Sequence, residues 1–144
     1  MSTRANTVVG TALVALALGA GGCAMRGAAL ESLERYPQAP QTRTVDVQVE
    51  RDGTRLVLVN TSGQTLEGRV WVNRWFSSAL APVAPGARAS LDLHAFKDTF
   101  GNAFRAGGFF AIERPDPVVQ TQVQLPSGEL VGLVTLGQGR TGVR

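Results

Sequence analysis

Ser90, Asp92 and His94 bring the three residue types of a nucleophilic catalytic triad within five positions, and His94 is the chain's single histidine. They lie in "ARASLDLH", where Ala89, Leu91 and Leu93 alternate with Arg88, Ser90, Asp92 and His94. On a strand, period two puts all three on one face, about 7 Å apart along it. A nucleophile and its base must approach to about 3 Å, and no "GxSxG" nucleophile elbow occurs, so the spacing predicts a solvated strand face and no catalytic set. Asp92, His94 and Asp98 carry metal-ligating atoms, but one histidine without a cysteine partner or calcium-loop spacing predicts no metal site. The glycines of "GAGG" follow no strand and "GxxxxGK" is absent, which excludes a phosphate-binding loop and leaves no cofactor expected.

A second candidate is aromatic. In "LEGRVWVNRW", a regular strand would project Trp71, Asn73 and Trp75 from one face, with the two indoles about 13 Å apart. Rings so spaced could stack on sugars or grip an apolar peptide, whereas burial in a core is the commoner fate of a strand tryptophan. Phe96, Phe100 and Phe104 recur every four residues, but Gly101-Asn102 interrupts a helix there. The three rings are expected to plug one end of the core, with Phe109 and Phe110 continuing the packing.

The elements that must position these residues are strands. A chain of 144 residues with 44% hydrophobic and 17% charged residues supports one globular domain. "TVDVQVE" alternates Val45, Val47 and Val49 with polar residues, Asp52-Gly53 marks a hairpin, and "TRLVLVN" reads as a central strand covered on both faces. "LEGRVWVNRW" is the third strand, Pro82, Pro85 and Gly86 break the chain, and "ARASLDLH" is the fourth. "GGFFAIERPDP" is expected to hold a short strand stopped by prolines, and "VVQTQVQL" and "ELVGLVTL" two more joined by "PSG". Six to eight short strands with these turns predict an all-β fold, an antiparallel β-sandwich of immunoglobulin or fibronectin type III character, with a small barrel as the alternative.

The amino terminus has its own pattern. Arg4 lies in a short basic start, Val8 to Leu18 carry no charge, and Ala20-Gly21-Gly22 precede Cys23, the single cysteine. That is the order of an export signal, and the apolar run is shorter than the roughly 20 residues a membrane span needs. "LGAGGC" resembles the bacterial lipoprotein class, although Ala20 stands where that class usually has leucine. The resemblance implies cleavage after Gly22, lipid on Cys23 and membrane attachment; Ala24, in place of an acidic residue, implies sorting to the outer membrane, facing the periplasm. One acyl chain binds a membrane only marginally, whereas several anchor it stably.

The expected plan is a signal peptide with its helix at 1–22, a lipidated terminus and tether at 23–43, the β domain at 44–136 and a frayed tail at 137–144. Within the tether, "MRGAALESLERY" could form a short amphipathic helix and "YPQAPQTR" reads as an extended spacer. Cleavage would leave thirteen basic against eleven acidic residues, singly dispersed, which argues against nucleic acid as a partner. The mature stretch also resembles small exported bacterial domains through "VNTSGQTLEGRVWVNRW", "APGARASLDLHAFKDTFG" and "GGFFAIERPDPVV"; that resemblance implies a secreted β domain and no chemistry. The sequence therefore predicts a non-enzymatic binding or structural module of the cell envelope, with an envelope protein or cell-wall polymer as partner. The alternatives are a glycan-binding module using Trp71, Asn73 and Trp75, and a hydrolase or metal-dependent activity near Asp92 and His94.

Overall fold

The computed structural model describes residues 34–136; the segment expected to be an export signal, Cys23 and the expected tail from residue 137 lie outside the described residues. Seven strands follow in chain order: β1 Gln41–Asp52, β2 Arg55–Asn60, β3 Leu66–Val72, β4 Phe76–Val83, β5 Arg88–Asp92, β6 Thr121–Gln124 and β7 Leu130–Thr135. They form one sheet in the order β4-β3-β6-β7-β1-β2-β5, nearly closed into a barrel. The described residues adopt the expected all-β class, and the expected signal helix lies outside them. A single sheet replaces the two sheets expected of a sandwich, and it is mixed, because β1 and β7 run parallel.

The physical reason lies in β1. Its first part pairs with β7 and its second part pairs with β2, with register shifts between Gln41 and Arg43 and between Val45 and Gln48. Such irregularities bend a strand and increase its twist, so one long strand carries the sheet around the core without a break between two layers. Val47 and Val49 point inward with Leu56 and Leu58 of β2, Val70 and Val72 of β3, Val123 of β6 and Val131 and Leu133 of β7. Alternation makes this interior apolar, as the valine spacing of "TVDVQVE" predicts.

Two strand expectations change. "FSSALAPV" forms β4 despite Pro82, because this is the last strand of the sheet and an edge tolerates a residue without an N–H. "GGFFAIERPDP" forms no strand and belongs to the long loop before β6. The β2–β3 turn is held by Asn60, which is fully buried. Its Nδ2 donates to the Gln64 and Val83 carbonyls, each at 2.8 Å, and its Oδ1 accepts from the Ser62 hydroxyl at 2.6 Å.

Closure comes from the segment after β5. A 3-10 turn, Leu93–Ala95, leads to Lys97, which exchanges two backbone hydrogen bonds with Ser77 of β4, at 2.9 and 3.0 Å. The chain thus passes from one edge of the sheet to the other and covers the gap. Leu93, Phe96, Phe104 and Ala106 are buried beneath it, with Phe104 edge-on to Phe76 at 5.2 Å. The expected aromatic plug is present in Phe96 and Phe104, while Phe100 is 73% exposed.

Trp71 fills a separate place. It is fully buried but stands apart from the interior cluster, edge-on to Tyr36 at 5.4 Å. The Tyr36 hydroxyl donates to Gln122 Oε1 at 2.8 Å, and Glu34 pairs with Arg69 at 2.9 Å. The residues before β1 therefore cover the outer face of β3 and β6. Within β3 Gly68 is required: it lies at φ +129, where an added Cβ would collide with the Gln124 carbonyl oxygen of the neighbouring β6.

Phe96→Ala should destabilise the fold by about 3–5 kcal/mol in urea unfolding, the usual loss for a buried phenylalanine. Phe100→Ala should stay within about 0.5 kcal/mol, as for an exposed side chain. Equal effects from the two would contradict the assignment of Phe96 to the barrel end.

Candidate functional site: an apolar loop end

The strand directions gather particular segments at one end of the barrel. β3 and β7 finish there, β6 begins there, and the parallel pairing brings the β1–β2 turn to the same side. The end of β5, the closing segment and the long loop before β6 complete it. Trp75, Phe100, Phe109, Phe110, Ile112 and Val119 are all exposed in these loops. Val134 and Leu136, at the finish of β7, are the remaining large exposed hydrophobic residues among those described. The opposite end is made of short turns with no large exposed apolar side chain among the described residues.

The long loop is braced at its base and bare at its tip. Arg51 continues the inward row of Val47 and Val49, so period two carries a guanidinium to the inner side of the sheet. It donates to the Gly53 carbonyl at 2.9 Å, to the Ala106 carbonyl at 2.6 Å and to the Asp116 carbonyl, and lies 5.9 Å from the centre of the Phe104 ring. Burial pulls its pKa down and Asp116 opposes this; an arginine remains charged through such a change. Arg105 clamps the loop from outside, reaching Asp116 at 2.8 and 3.2 Å and Glu113 at 2.9 Å. These carboxylates raise its pKa further.

Asn73 holds the loop's other limb. Its Nδ2 donates to the Pro117 carbonyl at 2.7 Å, and its Oδ1 accepts from the Val119 and Gln120 amides at 2.8 and 3.2 Å. Between these braces, Phe109, Phe110 and Ile112 are 90% exposed or more. Phe109 and Phe110 meet edge-on at 5.0 Å instead of continuing the core. A cleft of about 440 Å³ lies beside Phe110, lined also by His94, Phe104 and Ile112 among others.

The expected face of Trp71, Asn73 and Trp75 is not formed. β3 ends at Val72 and is joined to β4 by the three residues Asn73, Arg74 and Trp75, of which Asn73 and Arg74 take positive φ values of 53 and 60 and the Trp75 amide donates back to the Val72 carbonyl at 3.1 Å. Trp71 is buried and the Asn73 side chain is committed to the loop, so Trp75 alone of the three presents a ring, at 52% exposure. Its neighbour is Phe100, 6.4 Å away. A smaller cleft of about 320 Å³ lies here, lined by Tyr36, Arg74, Trp75 and Thr99 among others.

The structure brings Asp92 and His94 together, but as a local brace. Asp92 caps the 3-10 turn by accepting from the His94 amide at 3.0 Å. The His94 Nδ1 lies 3.0 Å from Asp92 Oδ1 and its Nε2 lies 3.1 Å from the Gly107 carbonyl oxygen, so both ring nitrogens face acceptors within the chain. Ser90 Oγ instead lies 3.4 Å from Arg55. Asp98 is 5% exposed and accepts from the Phe100 and Asn102 amides, each at 2.8 Å, from Asn102 Nδ2 at 2.9 Å and, more weakly, from Trp75 Nε1 at 3.4 Å. Among the described residues no three His, Cys, Asp or Glu side chains are grouped to hold a metal ion. No protein-family model matches the chain, and neither does any curated protein or solved structure.

Asp98 makes this end sensitive to acid. Burial acts to raise its pKa, the Asn102 and Phe100 donors outweigh that, and the carboxyl lies below its ordinary value. A depressed folded pKa stabilises the fold fully above the unfolded value of about 3.9, and that contribution is lost as pH falls through the folded value. Asp98→Asn should therefore lose stability near neutral pH and show a shallower decline than wild type below about pH 4. Parallel acid limbs in the two stability profiles would contradict this role.

Proposed function

We propose that the chain is a membrane-anchored lipoprotein of the cell envelope, held through lipid on Cys23, whose barrel is a non-enzymatic binding or structural module. The observation that carries the second half is the gathering of exposed apolar side chains at one braced end. That pattern suits an interaction surface, since large contiguous apolar patches on a soluble domain mark places where something docks. The polar groups nearby are committed to holding loops: Asp92, His94, Asp98 and Arg51 each face partners within the chain. The first half rests on the resemblance of "LGAGGC" to the lipoprotein processing pattern, with the outer membrane as the expected destination.

A glycan-binding reading has a narrower basis. Trp75 and Phe100 could stack on a sugar beside Arg74, but without Trp71 they form no extended platform.

Expression in a bacterial host should yield a membrane-bound mature form whose intact mass begins at Cys23 and includes acyl chains. Cys23→Ser should lose that mass. An unacylated, soluble product from both chains would overturn the anchor and leave a secreted module.

A further inference from the structure

We infer that the occupant of the apolar loop end is the lipid bilayer itself: Phe109, Phe110 and Ile112 enter its interfacial layer and turn the barrel's opposite end away from the membrane. The inference rests on the lipid anchor at Cys23 and names the partner of the surface described above.

The path of the chain supports this occupant. Tyr36 packs on Trp71, one residue from the end of β3, and Arg35 and Tyr36 share a cleft with Arg74 and Trp75. Arg35 and Tyr36 therefore meet the barrel towards its apolar end, while Glu34, the first described residue, pairs with Arg69 midway along the outer face of β3. Ten residues, 24–33, separate Cys23 from Glu34, a span that at full extension reaches no more than about 40 Å. An acylated Cys23 would keep this end within reach of the bilayer surface.

The chemistry of the end fits such a surface. Aromatic rings settle at the depth of lipid headgroups, and an apolar tip flanked by arginines suits an anionic interface. Arg35, Arg74 and Arg114 have no carboxylate partner among the described residues, whereas Glu113 and Asp116 are paired with Arg105. The bracing matters because an apolar tip enters an interface only if its base resists folding back over the cleft. Arg51, Arg105 and Asn73 supply that resistance.

The test places one indole at each end of the barrel in the full chain, Phe110→Trp at the loop tip and Ser127→Trp in the opposite turn. The proteins are reconstituted into vesicles of phosphatidylethanolamine and phosphatidylglycerol, with and without bromine on the acyl chains. Emission added by Phe110→Trp should be blue-shifted and strongly quenched by the brominated lipid, and emission added by Ser127→Trp should be unaffected. No quenching at 110, or equal quenching at both positions, would overturn the inference. That includes the case in which a protein partner or a second copy covers the loop. Intact mass of the same samples separates the two claims. An acylated chain with an unquenched Phe110→Trp indole overturns bilayer contact alone. A chain without acyl mass overturns the anchor, and quenching at 110 would then still support contact through the loop.

Discussion

Across the gap between β4 and β5, Ser77 and Lys97 exchange two backbone hydrogen bonds, and much of this structure depends on that junction. An open seven-stranded sheet would leave the unpaired N–H and C=O groups of both edge strands available to other chains. Here the chain leaving β5 crosses to β4 and covers part of the gap. Phe96, one residue before Lys97, is fully buried, and its carbonyl accepts from the Phe104 amide at 2.9 Å. The apolar burial of Phe96 and Phe104 gives the crossing its strength, because two backbone bonds alone contribute only about 1 kcal/mol each.

The same crossing determines what the loop end can expose. With Leu93, Phe96 and Phe104 filling the mouth of the barrel, the later rings have no interior left to enter. Phe100 lies in a turn pinned by Asp98, and Phe109 and Phe110 lie beyond the point where Arg51 and Arg105 fasten the loop. Their exposure follows from competition for a limited core. The polar residues that looked like chemistry serve the same architecture: Asp92 and His94 join the end of β5 to Gly107.

Several of these features were legible in the sequence. The valine alternation of β1, the Asp52-Gly53 turn and the two closing strands all appear where their patterns place them. Arg51 could also have been found, since it has the parity of Val47 and Val49. The Asn73-Arg74 turn was harder to read, because "RVWVNRWF" sustains strand-like composition through it and arginine seldom takes positive φ. The single mixed sheet depends on pairing β1 with β7, 86 to 89 residues later, which no local pattern encodes. The exposure of Phe109 and Phe110 was illegible for a related reason: composition says that a ring favours burial, and only the filled barrel says that no room remains.

Backbone amide hydrogen exchange, resolved by residue in the full chain, tests the closure most directly. If the crossing holds the barrel shut, the Ser77 and Lys97 amides will exchange as slowly as those of Val70 and Val123 in the central strands, through opening of the whole fold. Exchange of both at the rate of the Gly107 to Ile112 loop would mean that the gap opens freely, and the account of this end as a braced platform would fail.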